Sequence, residues 1–292
     1  MNGTPSNVTS PAATPGELSA WRYYLHAALE GHLDVPPLSR TSADIAAMAA
    51  DGEANTAVLA RLIELDPAVA ANVLRVANSA ALAPRIPVVT IPQAIAWLGT
   101  GEIQSIATSV VVRSRLFAGG HHDALLRKMW RRAVATAYWA REIARPRQQL
   151  VDLAHLCGLL GRIGRPVVLR SLLRAPDGAD AALDDPRRLR LVDEFESLAG
   201  IALCKVWSLP EPVSTAIRHW RDEAFGGGWE RQLRQVRLAD LLASRMLDAD
   251  PDPLLPTRIE AAITALHLRR DEIEGLAAGE AVVRQALDAL TG

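Results

Sequence analysis

The sequence predicts an all-α fold. Three observations lead there: from near Leu18 onward apolar residues recur at helical spacing, no run alternates with period two long enough to make a strand, and glycine, proline and capping residues cut the chain into helix-sized segments. With 292 residues and 49% hydrophobic content, the chain can bury a substantial core, as one large domain or as two compact lobes in contact.

Residues 1–16 are mostly Pro, Ser, Thr, Asn and Gly with little to bury, and read as a disordered tail. A first helical lobe is expected over 17–118. In it Thr41 or Ser42 caps a helix that runs through Ala50 and is ended by Gly52. The next helix spans about Thr56 to Leu65, after which Asp66-Pro67 supplies an N-cap with proline at the first helical position. That third helix runs to about Ala80. Pro84, Pro87 and Pro92 mark a turn-rich connector, and Ile91 to Leu98 and Glu102 to Phe117 read as a short and a long helix separated by Gly99-Thr100-Gly101.

A second lobe is expected over 119–250. Asp123 to Ala144 makes one long helix stopped by Pro146, and Leu150 to Leu160 the next. Val167 to Leu173 continues beyond Pro166, and a polar stretch from about Ala175 to Arg190 precedes helices at Leu191 to Trp207, Glu211 to Trp220 and Trp229 to Asp248. Pro251, Pro253 and Pro256 mark a last linker, and 251–292 holds two terminal helices, about Thr257 to Leu268 and Asp271 to Leu290, that pack on the same domain.

Charge narrows the partners. The 32 basic and 33 acidic residues give a net charge of −1, so no global positive field draws nucleic acid or anionic lipid. No segment approaches the roughly 20 apolar residues needed to span a bilayer, and the N-terminus lacks the order of a signal peptide. Cys157 and Cys204 sit in apolar helical sequence without CxxC spacing, which suits small core residues in a reducing compartment. A cytoplasmic protein is expected. Almost all the cations are arginine, with lysine only at 128 and 205.

Several local features suggest chemistry but have plainer explanations. His121-His122-Asp123 lies in a glycine-rich linker, and adjacent residues rarely aim at one ion. His155 and His219 read as structural histidines. Gly226-Gly227-Gly228 lacks the strand and lysine of a phosphate-binding loop, and reads as a hairpin between helices. Residues 56–80 have helix-turn-helix proportions, but the would-be recognition helix from Pro67 is mostly apolar with the single cation Arg75, so core packing is expected and DNA is not the expected partner. Arg127, Arg131 and Arg145 share a helix side that could receive an anion, or form a solvated face.

Read together, several stretches resemble the HDOD family, the HD-related output domain of bacterial signalling proteins. They are Leu33-Asp34-Val35-Pro36-Pro37-Leu38, Leu62-Ile63-Glu64-Leu65-Asp66-Pro67-Ala68, the most specific Leu74-Arg75-Val76-Ala77-Asn78-Ser79-Ala80, and Ile91 through Gly99. Trp130-Arg131-Arg132-Ala133, the Gly158-Leu159-Leu160-Gly161-Arg162-Ile163-Gly164 turn and Val236 through Ala243 follow in order. The turn is similar to the GLLHDIG metal-binding turn of HD phosphohydrolases. The resemblance implies a ligand His where Arg132 stands, an adjacent His-Asp where Gly161 and Arg162 stand, and a closing Asp at Asp240. Only the last is present. Glycine offers no donor atom and a guanidinium offers only N–H donors, so the expectation is a degenerate HD site at Arg132, Gly161, Arg162 and Asp240 with no metal, no cofactor and no catalytic residue. If those elements still face one another, at least one of the two arginines pairs with Asp240; otherwise the arginines reach solvent.

The resemblance therefore implies a non-enzymatic signal-transduction module that binds a protein partner or a ligand. Two alternatives stand beside it. One is a receptor for a cyclic dinucleotide or other nucleotide messenger, with Arg127, Arg131 and Arg165 as candidate anion contacts, and the other is a residual metal-dependent phosphohydrolase.

Overall fold

The computed structural model describes residues 15–31, 38, 40–51, 55–117, 123–147, 150–173, 183–222, 225–249 and 252–291. All regular structure among them is helical: α1 (Pro15–Gly31), α2 (Arg40–Asp51), α3 (Thr56–Glu64), α4 (Pro67–Ala77), α5 (Ile91–Leu98), α6 (Thr100–Leu116), α7 (Asp123–Ala144) with a 3-10 turn at Arg145–Arg147, α8 (Val151–Leu160), α9 (Gly164–Leu173), α10 (Asp185–Trp207), α11 (Glu211–Arg218), α12 (Glu230–Leu247), α13 (Leu255–Ala265) and α14 (Arg270–Thr291). The expected tail over 1–16 falls almost wholly outside the described residues, as does the His121-His122 pair.

Local chemistry sets the early boundaries. The Asn55 side chain accepts from the amides of Ala57 and Val58, and the Asp66 carboxylate accepts from Ala68 and Val69, each filling orphan donors of a first turn. Thr90 and Gln93 form a reciprocal capping box at the start of α5. A single residue, Gly99 at φ +85°, separates α5 from α6, a backbone conformation that an L side chain would strain. The third helix stops at Ala77 rather than near Ala80. There Asn78 turns its amide to the carbonyls of Leu74 (2.8 Å) and Val88 (2.7 Å) and accepts from the Val88 amide (2.8 Å), so one side chain ends the helix and pins the connector.

Other starts differ from expectation as well: α2 begins at Arg40, so Thr41 and Ser42 lie inside its first turn rather than capping it, and α6 begins at Thr100, not Glu102. α9 begins at Gly164, not Val167, because Pro166 sits in the first turn, where its missing N–H has no intrahelical partner to lose. α10 begins at Asp185, not Leu191: Asp184 caps the Arg187 amide at 2.9 Å and Pro186 falls in the first turn, so Asp185 to Arg190, read as the end of a spacer, belong to the helix.

The core centres on α7, which packs most extensively against α8, α12 and α14. Its buried face combines Trp130, Tyr138 and Trp139 with Val134, Ala135, Ala137 and Ala140. The small residues admit close neighbours: a Cβ added at Gly158 of α8 would lie 2.7 Å from the Ala137 Cα. α9 and α10 meet still more tightly, since a Cβ at Gly164 would lie 1.8 Å from the Glu196 carbonyl oxygen. α1 rests on α9 and α10, whereas α2 to α6 pack mainly on one another, with α2 and α6 also reaching α8. Val69, Val73, Val76 and Ala77 of α4 are buried, so the helix with DNA-reading proportions presents its apolar face to the core. Both cysteines are buried, and burial pushes the Cys157 thiol up to about 12.

Candidate functional site: an arginine-closed carboxylate beside a basic groove

The glycine turn brings four helices together. Gly158 seats α8 against α7, Gly161 faces the ring of Trp220, and Gly164 lets α9 touch α10. Arg162, in the turn between α8 and α9, is thereby aimed between α10 and α12, towards Glu196 and Asp240.

Arg132 of α7 and Asp240 of α12 form a two-point fork. Arg132 Nε donates to Asp240 Oδ1 at 2.7 Å and Nη2 to Oδ2 at 2.9 Å, while Thr136 Oγ1, one turn on, donates to Oδ1 at 3.3 Å. The remaining nitrogen, Nη1, reaches Asp248 Oδ2 at 3.1 Å, an oxygen that also accepts from Ser244 Oγ at 2.5 Å. Arg162 Nη1 lies 3.7 Å from Asp240 Oδ2, but its main partner is Glu196, bound through Nε at 2.8 Å and Nη2 at 3.1 Å. Arg165 pairs with Asp193 and reaches Glu196, as does Arg221, both at 3.4 Å. The Arg162 guanidinium also sits 5.5 Å from the centre of the Trp220 ring, within cation–π range.

Burial would disfavour charge at Asp240, yet Arg132 and Arg162, with the hydrogen bonds from Arg132 and Thr136, more than offset it and hold the carboxyl below its usual value. The same opposition acts at Arg162, where the hydrogen bond and charge of Glu196, then Asp240 and Asp193, outweigh desolvation and raise the guanidinium pKa. Both groups remain charged across the physiological range.

These residues do not fit a divalent ion. Both Asp240 oxygens are taken by Arg132, and a side chain begun at position 161 would meet the Trp220 ring at 3.2 Å. Among the described residues no group of three or more His, Cys, Asp or Glu side chains is placed to hold a metal.

Beside the fork lies a groove of about 670 Å³. Arg127, Arg131 and Arg165 line it, and so do Arg132, Arg162 and Asp240. Arg145 does not; it sits past the end of α7 and pairs with Glu142. His155 is buried edge-on to Tyr138, and burial, then the Arg141 charge, pushes it down to about 3, which keeps it neutral. His219 stacks on Phe225 with ring centres 4.2 Å apart.

Participants not singled out from the sequence include Thr136, Glu196, Trp220 and Asp248. Asp240, Ser244 and Asp248 recur at four-residue steps and so share a helix side, a signal that was available. Glu196 is one of several acids on a long helix, and nothing in its spacing distinguishes it.

Comparison with known proteins gives a consistent lineage. A solved HDOD domain protein of unknown function from Geobacter sulfurreducens superposes with a TM-score of 0.67 at 19% identity, covering 94% of this chain and 98% of that one. A protein from Shewanella amazonensis, named as a candidate metal-dependent phosphohydrolase, gives 0.67 at 20% identity, with 94% and 100% covered. One from Marinobacter aquaeolei, named as a candidate signal transduction protein, gives 0.63 at 23% identity, with 93% and 66% covered. These likenesses concern the fold. An uncharacterized protein of Treponema pallidum is 25% identical over 193 residues, 63% of this chain, and the chain spans 37% of the length of that curated relative. The profile of the HDOD domain matches residues 35–223, well over half of the sequence, and the chain belongs to the HDOD domain family.

Proposed function

We propose that this chain is a non-catalytic signal-transduction module that acts by binding a protein partner through its helical scaffold. The observation that carries the reading is the Arg132–Asp240 fork: the one carboxylate at the positions that resemble HD metal ligands spends both oxygens on a guanidinium. A divalent ion that activates water needs several protein ligands and an open position. Arg132 and Arg162 supply positive charge there instead, so the carboxylates are balanced without an ion. Membership of the HDOD family fits a signalling role, and the relative named for signal transduction points the same way. The other relative's name concerns phosphohydrolysis, which makes hydrolysis the reading to test against.

The test is metal analysis of the purified chain together with turnover of bis(p-nitrophenyl) phosphate in the presence of Mn²⁺, Mg²⁺ or Fe²⁺. Neither bound metal at stoichiometric level nor metal-dependent turnover is expected. Turnover that disappears on Asp240→Asn would overturn the proposal.

A further inference from the structure

The groove beside the fork carries charge that the fork does not use. Its deep side is balanced, because Arg132 is held by Asp240 and Asp248, Arg162 by Glu196, and Arg165 by Asp193 and Glu196. Its other wall is formed by α7 and the end of α6, which contribute Lys128, Arg131 and Arg113. Among the described residues the only acids lining the groove are Asp240 and Asp248, both already engaged by Arg132. In a chain of net charge −1, this concentration of cations on one concave surface is local and directional.

Arg113 is part-buried and its Nη1 donates to the Leu290 carbonyl at 2.7 Å, a neutral partner; desolvation, then the nearby Arg75 charge, lowers its pKa, so an anion in the groove would supply the opposite charge that a carbonyl does not. Most of the remaining lining is apolar and includes Phe117, Leu125, Met129 and Leu247. The Phe117 ring leans on Trp130 at 5.1 Å, which fixes one aromatic surface at the edge of the groove. A volume of about 670 Å³ suits a small molecule rather than a polymer.

The geometry points to a binding site for a phosphorylated organic molecule of nucleotide size, its phosphates on Lys128, Arg131 and Arg113 and its ring system against Phe117 and the neighbouring apolar side chains. Guanidinium groups match phosphate oxygens two at a time, and three cations on one wall suit the several charges of a phosphate chain better than the single charge of a simple carboxylate. The site differs from an anion site built on Arg132, Arg162 or Arg165, whose forks are committed to carboxylates. It rests on the closed fork of the proposed function, since Asp240 released from Arg132 would repel an anion.

Calorimetric titration of the full chain with ADP, and separately with inorganic pyrophosphate, tests the site. ADP is expected to bind with a dissociation constant below about 1 mM and more tightly than pyrophosphate. The exposed changes Lys128→Glu and Arg131→Glu together should weaken ADP binding about tenfold or more, while Arg270→Glu, on a solvated turn of α14, should not. No heat from either probe at about 5 mM, or equal binding by the variant and the parent, would overturn the site. Equal affinity for the two probes would overturn the apolar half of the assignment. Mass analysis of the recovered ADP separates the two readings: cleavage to AMP and phosphate would sink the non-catalytic function and leave the binding site standing.

Discussion

Replacing Asp240 with Asn tests the fork directly. The side chain changes little in volume but loses its charge, and its new amide turns an N–H towards the nitrogens of Arg132, so one of the 2.7 and 2.9 Å bonds becomes a donor facing a donor. Removing one partner of a fully buried ion pair costs about 3–5 kcal/mol. The side chains of Arg132 and Asp240 keep 22% and 12% of their surface exposed, and Arg132 retains Asp248, so about 2–3 kcal/mol is the better figure. That corresponds to a fall in melting temperature of roughly 3–5 °C. Urea unfolding at pH 7 reads the loss, and the double variant Arg132→Met with Asp240→Asn should recover about 1–2 kcal/mol of the summed single losses. The pH dependence has a definite sign. Because the folded pKa of Asp240 is lowered, its contribution is complete above the unfolded value near about 4 and fades as pH falls through the folded value, so parent and variant should converge in acid. Stability within about 0.5 kcal/mol of the parent at pH 7, or a difference that does not shrink in acid, would refute the reasoning.

Two further perturbations probe the scaffold. His155 is held neutral with a pKa near about 3 against 6.5 in the unfolded chain, so the unfolded state binds the extra proton between those values and stability should fall by up to about 1.4 kcal/mol per pH unit below 6.5. Urea midpoints at pH 6.5 and 5 should show a slope that His155→Leu flattens; the same slope in that variant would place its origin elsewhere. Gly164→Ala puts a Cβ against the Glu196 carbonyl, where backbone on both sides must separate, and a loss of about 3 kcal/mol is expected from denaturant unfolding. An unchanged midpoint would show that the α9–α10 crossing is not as close as described.

How much could be read in advance depended on whether the signal was local. Asp66-Pro67 and Gly99 announce helix boundaries through the chemistry of the residues themselves: α4 starts at Pro67 and α5 ends at Leu98 as expected, while α6 starts at Thr100 rather than Glu102. The starts of α9 and α10 were less legible because proline in a first turn and proline in a loop look alike until a capping partner is seen. At the site, resemblance brought Arg132, Arg162 and Asp240 into one argument and left open whether they met. The structure joins all three, with Arg162 turned chiefly to Glu196. Glu196 could not have been chosen beforehand, because its position opposite Arg162 depends on how closely α10 approaches Gly164. Trp220 was hidden for the same reason: it matters because position 161 leaves its ring room.

An arginine and a divalent cation make different demands on the same shell. The cation needs several lone pairs converging at about 2 Å, and each missing ligand must be replaced by water. A guanidinium carries its charge on a plane with fixed N–H directions, needs one carboxylate edge to be well bound, and is tethered to a stem that also fills space. A shell with a single carboxylate at the HD-like positions is therefore electrostatically incomplete around an ion but complete around Arg132. The difference extends to the rest of the helix. Because α7 presents Arg132 on the side that meets α12 and Lys128 and Arg131 along the groove, fixing the fork also fixes where those two cations stand. Closing the carboxylate and positioning a basic wall are thus consequences of the same α7–α12 contact, and a variant that loosens the fork should weaken anion binding before it unfolds the chain.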